Sequence, residues 1–380
     1  MTTSDQNEIG GITLDELNGE IYSDERKSEV LTNMVIKHEC DTYVELMKTY
    51  ARNSVITLGL LPYIALLSVE TLKFYESVGI KVEVKNESGY ETKDVRLAIK
   101  QFNERFGKAR KKVIKIEKQE DDNYKNQLRF EFLKKLGVHY DLSIIYDGNA
   151  AVSNTQYTMS LFEGQEPKKD NVILFGEALG QMLGAIENMF SKIGKQQTNV
   201  KLSKIKWYKK DLNTNRTKMF ALEKDDDEAI QLLLLHTLTS VNFAYIEVEK
   251  ILGENTLKTR IQFLAMYYAK EMMARIAEKI ISNDIKKQFL KCINSLKPLF
   301  DVTFRNCLMH YSFEDEGKFL IEQEFFDIEK EFFGLIESRY DGMSYETFMA
   351  SIMDNLKMMK NTIEGLICLD ISHLDYFDAT

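Results

Sequence analysis

Three polar residues in the C-terminal third of the chain, Arg305, Asn306 and His310, have the types and spacing of a proton-transfer site. RNA carries its own nucleophile, the 2′-hydroxyl group, so its cleavage requires only a group that transfers protons and a cation that neutralises the phosphorane. Histidine titrates near neutral pH, and arginine is a permanently charged, forked donor that suits phosphate oxygens. The chemistry of metal-free RNA cleavage therefore fits these residue types, and its products would carry a 2′,3′-cyclic phosphate or a 3′-phosphate and a 5′-hydroxyl.

A helix is expected to position these residues, because the apolar residues around them recur at helical spacing. At 100° per residue, one compact apolar stripe is formed by Phe304, Cys307, Leu308 and Tyr311. Measured from the first of these, Arg305 lies at about 100°, Asn306 at about 200° and His310 at about 240°, so all three point away from the stripe. Asn306 and His310 are i, i+4 neighbours, so Asn306 is expected to orient the imidazole.

Arg305 and His310 lie roughly 140° apart on an ideal helix, so one straight helix does not bring their tips together. They can converge through the length of the arginine side chain, through an irregularity in the helix, or across a second copy of the chain. The last alternative predicts a composite site in a homodimer, or in a higher assembly made of dimers.

The pattern Arg305-Asn306-x-x-x-His310 resembles the motif of the HEPN superfamily. That motif is an arginine, a polar residue, and a histidine four to six positions beyond the arginine, near the end of a helix in an all-α bundle. The resemblance covers at most the C-terminal half of the chain, and the motif spans six residues. It implies a metal-independent endoribonuclease of toxin, abortive-infection or CRISPR-associated systems that needs no cofactor and works as a dimer. Arg305 and His310 would be catalytic, and Asn306 would support them.

A second candidate site is the segment 201–218, which interleaves cations with aromatic residues. Such a segment can hold phosphates and stack on bases, but an exposed segment with a buried tryptophan has the same composition. The candidate RNA-binding residues are Lys204, Lys206, Trp207, Tyr208, Lys209 and Lys210.

Composition and charge limit the class of protein. The 380 residues suffice for two or three domains, and the three prolines and abundant leucine, lysine and glutamate favour helices. A net charge of −9 argues against a protein that coats nucleic acid by bulk electrostatics. The four cysteines show no C-x-x-C pair, and the N-terminus lacks the pattern of an export signal, so we expect a reduced, cytoplasmic setting.

The N-terminal part is expected to be helical with at most a small hairpin. Residues 1–24 are interpreted as a polar tail and 25–165 as a helical region of unknown role. Between 28 and 78, Gly59 and Pro62 are expected to separate two helices. A further helix is expected over 95–136, where the basic run 105–118 favours a solvated face over an RNA contact. Residues 141–162 resemble a hairpin, and 164–171 a linker.

Residues 171–380 are expected to form the HEPN-like helical bundle, which makes the fold mainly α. Its first helix carries Gly176, Gly180 and Gly184 on one face, which favours tight packing within the chain, with a dimer contact as the alternative. Four helices are then expected over 229–252, 256–282, 284–311 and 344–367, with another in the second half of the acidic insert 313–337. The apolar runs 55–69 and 229–246 are interpreted as core helices, not membrane spans.

Two other kinds of function fit the same sequence. One is a non-catalytic helical module that binds RNA or protein, and the other is a scaffold in which the Arg305 to His310 pattern is accidental. The chain has no P-loop, dinucleotide-binding, zinc-protease or serine-hydrolase motif, and no evident metal site. A regulatory protein or nucleic-acid partner is also expected. Neither the RNA, nor the trigger, nor the role of residues 1–170 follows from the sequence.

Overall fold

The computed structural model describes residues 23–100, 140–162, 169–189, 197–214, 217–222 and 228–379, together with 8–9, 12–13, 111, 113–116, 118–119 and 122. The described part is mainly helical, as the sequence predicts. Within the expected N-terminal tail, β1 (Glu8–Ile9) pairs antiparallel with β2 (Ile12–Thr13).

Two long helices begin the N-terminal part, α1 (Asp24–Tyr50) and α2 (Ser54–Ser77). Residues 51–53 separate the two helices, and Asn53 caps the start of α2. The prediction that the helices separate at Gly59 and Pro62 is therefore wrong. Both residues lie inside α2. A proline in a helix removes one backbone hydrogen bond, and burial of this apolar helix outweighs that loss. Gly59 is needed there because a Cβ would lie 2.3 Å from the ring of Phe243.

The helix expected over 95–136 is described only in part. It includes α3 (Thr92–Leu97), the 3₁₀ turn Ala98–Lys100, and helical positions at 111, 113–116, 118–119 and 122. Most of the basic run 105–118 lies outside the described residues. The preference for a solvated face over an RNA contact therefore stays a prediction.

A four-stranded antiparallel sheet crosses the middle of the fold. The expected hairpin is confirmed as β3 (Leu142–Asp147) and β4 (Ala150–Asn154), and it is followed by α4 (Thr155–Leu161). The hairpin belongs to a larger sheet whose other two strands come from the part expected to be a helical bundle: β5 (Trp207–Leu212) pairs with β3, and β8 (Asp375–Phe377) pairs with β5. The strand order is β4-β3-β5-β8, and Tyr146, Tyr208 and Tyr376 lie side by side.

Helices of different lengths form most of the C-terminal part. They are α5 (Lys169–Met189), α6 (Glu228–Asn242) continued by a π turn (Phe243–Glu247) into α7 (Val248–Ile251), and α8 (Thr256–Lys279). Then come α9 (Asn283–Ser295), α10 (Val302–His310), α11 (Leu335–Arg339) and α12 (Tyr345–Glu364). The helices expected over 229–252, 256–282 and 344–367 are confirmed.

The single helix expected over 284–311 is wrong. The chain forms α9 and α10 instead, separated by residues 296–301. Pro298 lies in this gap, where it lacks a backbone donor and disfavours the helical conformation of the residue before it. The acidic insert begins with the short hairpin β6 (Glu314–Asp315) and β7 (Lys318–Phe319), and its second half supplies a 3₁₀ turn and α11.

One apolar core joins the N-terminal helices, the sheet and the C-terminal helices, from Leu31 to Ala379. The expected linker falls largely on residues 163–168, which lie outside the described residues. Among the described residues, Ser54–Ser77 and Ala229–Ile251 are long and apolar enough to cross a membrane, and 67% and 78% of their most apolar windows are buried. Core helices of globular proteins have the same property.

The glycine face of α5 is exposed. A Cβ at Gly176, Gly180 or Gly184 would meet no described atom within 4 Å, so the expected tight packing against another part of the chain is not found in the described ranges. These glycines instead line an apolar groove of about 690 Å³ together with side chains of α1 and α2. Their use as a dimer contact stays a prediction.

Candidate functional site

The motif residues lie on α10, as their spacing predicts. Asp301 begins the helix by accepting a 2.6 Å hydrogen bond from the backbone amide of Phe304, and Tyr311 ends it in the left-handed conformation, with φ 51° and ψ 43°. The predicted stripe is buried in full: Phe304, Cys307, Leu308 and Tyr311. His310 is therefore the last helical residue, and the fold presents it away from the core.

His310 opens into a pocket of about 380 Å³ between α1, α2 and the end of α10. Its side chain is 51% exposed, and its Nδ1 lies 3.1 Å from Oε2 of Glu70 in α2. When Nδ1 donates this hydrogen bond, Nε2 is left as an acceptor for a substrate proton. A carboxylate that orients an imidazole in this way is an arrangement suited to general acid–base chemistry.

Glu70 is buried beneath the imidazole, with only 3% of its side chain exposed. Its other oxygen accepts a 2.9 Å hydrogen bond from Lys73 and contacts Arg96 of α3. Burial raises the pKa of the Glu70 carboxyl, but hydrogen bonds from His310 and Lys73 oppose this shift, and the net pKa lies below its ordinary value. Glu70 is therefore held ionised, as a base-orienting group requires.

The rest of the pocket is acidic. Besides His310 and Lys73, its charged lining residues are Glu25, Glu29, Glu70 and Glu314. Arg26 pairs with Glu29 at 2.5 Å. The lining as a whole carries more negative than positive charge, so it does not by itself attract a phosphate.

Arg305 lies on another side of α10 and does not line this pocket. Its guanidinium carbon is 5.3 Å from the centre of the Tyr267 ring on α8, and its Nε is buried without a hydrogen-bond partner among the described residues. Burial raises the pKa of the neighbouring Tyr268 phenol, and the charge of Arg305 opposes that shift. Within one chain Arg305 is therefore not among the residues that line the His310 pocket.

Asn306 is half-buried on α10, and the bonded partner of the imidazole Nδ1 is Glu70. The orienting contact expected from Asn306 is thus corrected to one from α2. Sequence reasoning missed Glu70 because it is separated from His310 by 240 positions. One feature of the sequence does point to Glu70: it is a single carboxylate directly after the apolar run 55–69. Burial of an unpaired charge there would cost free energy, so a partner for the carboxylate is expected.

The second candidate site is only partly available to a ligand. Trp207 is 2% exposed on β5, so its ring belongs to the core and is removed from the set of stacking residues. Lys204 and Lys206 are exposed, whereas Lys209 pairs with Asp211 at 2.7 Å. Tyr208 packs edge-on against Tyr376, and Lys210 approaches the carbonyl of His373 at 3.5 Å. RNA binding by the remaining five residues stays a prediction.

A buried polar network lies behind α10. Arg260 of α8 donates through Nε to both oxygens of Glu39 in α1, at 2.9 and 3.0 Å, and through its guanidinium to the carbonyl of Leu308. The Tyr311 hydroxyl donates to Glu39 at 2.5 Å, and the Arg260 guanidinium lies 3.7 Å from the Tyr311 ring centre. The Thr32 hydroxyl donates to the Tyr311 carbonyl at 2.9 Å.

The described residues contain no group of three or more His, Cys, Asp or Glu side chains placed to hold a metal ion. Comparison with protein-family models, with curated protein sequences and with solved structures finds no match for the chain.

Proposed function

We propose that the protein is a metal-independent endoribonuclease of HEPN type in which His310 transfers protons. The observation that carries the proposal is the pair formed by the half-exposed His310 imidazole and the buried Glu70 carboxylate at the wall of a pocket. The resemblance of Arg305-Asn306-x-x-x-His310 to the superfamily motif, on the helix end where that motif belongs, supports it.

In this mechanism Nε2 of His310 accepts the proton of the RNA 2′-hydroxyl while O2′ bonds to the adjacent phosphorus. The P–O5′ bond then breaks, the protonated imidazole returns a proton to O5′, and a 2′,3′-cyclic phosphate forms. Glu70 accepts from Nδ1 throughout, which stabilises the imidazolium that exists between the two steps.

The phosphorane charge needs a cation that the acidic pocket does not supply. Arg305 has the required charge and fork geometry, but on its own chain it packs against the Tyr267 ring and does not line the His310 pocket. We infer that the active form is a homodimer, or an assembly of dimers, in which a two-fold axis brings Arg305 of one copy toward His310 of the other. Such an enzyme would be a cytoplasmic toxin or anti-phage defence effector, held in check by a regulatory partner.

The test of the activity is incubation of the purified protein with total RNA in excess EDTA, followed by mapping of the new ends. Cleavage with 2′,3′-cyclic phosphate and 5′-hydroxyl ends is expected for the wild type and for His373→Gln, a control at another exposed histidine. His310→Gln should reduce the rate by about 10² to 10⁴. An EDTA-sensitive activity, or equal rates for the two histidine variants, would rule the mechanism out.

The test of the composite site is a mixture of Arg305→Ala and His310→Ala chains. Each variant alone should be inactive, and mixed dimers should regain part of the activity, because one of their two sites carries both an intact arginine and an intact histidine. A monomer that cleaves RNA at the full rate would contradict this arrangement.

The second candidate is a non-catalytic module that binds a protein, and the acidic lining of the His310 pocket favours it. Carboxylates such as Glu25 and Glu314 suit lysine or arginine side chains of a partner. Saturable binding of a basic peptide that Glu25→Gln weakens, in a protein that leaves all RNA intact, would establish this alternative.

A further inference from the structure

The backbone on both sides of His310 is tied to other helices. The last carbonyl groups of a helix have no partners within the helix. In α10 the Cys307 carbonyl accepts from the amides of Tyr311 and Ser312, which closes the helix end. The Leu308 carbonyl instead accepts from the buried guanidinium of Arg260, and the Tyr311 carbonyl accepts from Thr32. The end of α10 is thus bonded to α8 and to α1.

His310 itself has little to hold it in place. Half of its side chain is exposed, and its ring makes the 3.1 Å contact with Glu70. That distance is near the upper end of the range for N–H···O hydrogen bonds, about 2.7 to 3.2 Å. A displacement of the helix end by a few tenths of an ångström would therefore weaken the hydrogen bond, and with it the preference for a proton on Nδ1.

The chemistry of the buried network fits a positioning role better than a purely stabilising one. Arg260 and Glu39 are 1% and 0% exposed, and removing both charges from water costs about as much free energy as their attraction returns. Apolar residues would fill the same space equally well. The Arg260 guanidinium joins a carboxylate on α1 to a carbonyl on α10, which no apolar side chain could do, and the Tyr311 hydroxyl ties the residue after His310 to the same carboxylate.

We propose that Glu39, Arg260 and Tyr311 are positioning residues for His310, which fix the end of α10 so that the imidazole keeps its proton on Nδ1 and presents Nε2 to the pocket. The consequence for turnover rests on the proposed ribonuclease function. The consequence for the imidazole does not, because it follows from the geometry of the folded protein alone.

The test is nitrogen NMR of the full chain with ¹⁵N-labelled histidine, in which the His310 signals are assigned by their loss in His310→Gln. Tyr311→Phe removes only the hydroxyl that bonds Glu39, and Thr32→Val removes only the bond to the Tyr311 carbonyl. Each should lower the ratio of the Nδ1-protonated to the Nε2-protonated tautomer by about three- to tenfold. The control is Tyr340→Phe, which removes a partly buried tyrosine hydroxyl that donates to the Leu299 carbonyl at 3.0 Å, ahead of α10. Its tautomer ratio should equal the wild type's.

In the RNA assay the same variants should lower kcat in proportion to the fraction of molecules whose imidazole is protonated on Nδ1, and they should leave KM unchanged. A wild-type tautomer ratio in both Tyr311→Phe and Thr32→Val would overturn the positioning role, as would an equal change in Tyr340→Phe. An inactive wild type whose tautomer ratio still falls in both variants would refute the ribonuclease and support the positioning network. The two proposals therefore fail separately.

Discussion

Replacing Glu70 by glutamine tests the centre of the proposed site, because it keeps the shape of the side chain and removes its charge. A glutamine can accept from Nδ1 or donate to it, so it no longer selects one imidazole tautomer. The hydrogen bond lost is one to a charged group, which contributes about 1.5 to 3 kcal/mol. If that energy is used in the transition state, RNA cleavage should slow by about 10- to 150-fold with KM nearly unchanged.

The same substitution should also destabilise the fold. Lys73 is 56% exposed, so its pairing with Glu70 contributes at most about 1 kcal/mol. Arg96 is largely buried against the same carboxylate and would lose its charge partner, so we expect a total loss of about 2 to 4 kcal/mol in the free energy of unfolding. Because the pKa of Glu70 is lowered on folding, this stability should be present above its ordinary pKa and be lost as the pH falls through the lowered one.

The assays are urea denaturation between pH 3 and 7 and a single-turnover cleavage assay, each run beside Glu76→Gln. Glu76 lies on the same helix, six residues further on and exposed, so its substitution should change stability by less than about 0.5 kcal/mol and leave the rate unchanged. A Glu70→Gln protein that cleaves RNA at the wild-type rate would refute the orienting role. A pH dependence of stability identical to the wild type's would refute the electrostatic argument.

Three further substitutions test the fold. Burial raises the pKa of Glu247 to about 8 from 4.5, so the folded protein holds a proton that the unfolded chain releases between these values. The unfolding free energy should fall as the pH rises through this window, and Glu247→Gln should remove a dependence of about 5 kcal/mol, measured by urea denaturation. Gly59→Ala should lower the free energy of unfolding by about 1 to 3 kcal/mol, because the new methyl group would overlap the Phe243 ring. Gly180→Ala on the exposed face of α5 should instead raise the melting temperature, because alanine favours helix more than glycine does.

The periodicity of the sequence predicted the part of the site that lies on α10. The apolar stripe of α10 repeats at helical spacing, so its burial and the outward placement of His310 followed from periodicity alone. The partner of the imidazole did not follow, because Glu70 comes from a different helix and nothing in its neighbourhood indicates which residue it meets. Glu39 and Arg260 were missed for the same reason, although each is a charge within an otherwise apolar helix face.

The errors in the fold have a similar origin. The hairpin of β3 and β4 has a local turn signal, whereas β5 joins β3 across about 65 intervening positions and β8 joins β5 across more than 160. Pairing over such distances depends on the packing of the whole chain, which one sequence does not reveal. The interruption between α9 and α10 could have been predicted from the sequence, because Pro298 lies in it. The strong apolar periodicity on both sides of the proline favoured one continuous helix instead.

The distance along the chain between Glu70 and His310 has a consequence for the protein during its synthesis. A ribosome that adds about 5 to 20 residues per second needs roughly 10 to 50 seconds to make the 240 residues between them. Throughout that time the nascent chain holds α2 without α10, so the carboxylate has no imidazole to orient. A nascent ribonuclease of this design would be harmless to the messenger and the ribosome that produce it until most of the polypeptide had emerged.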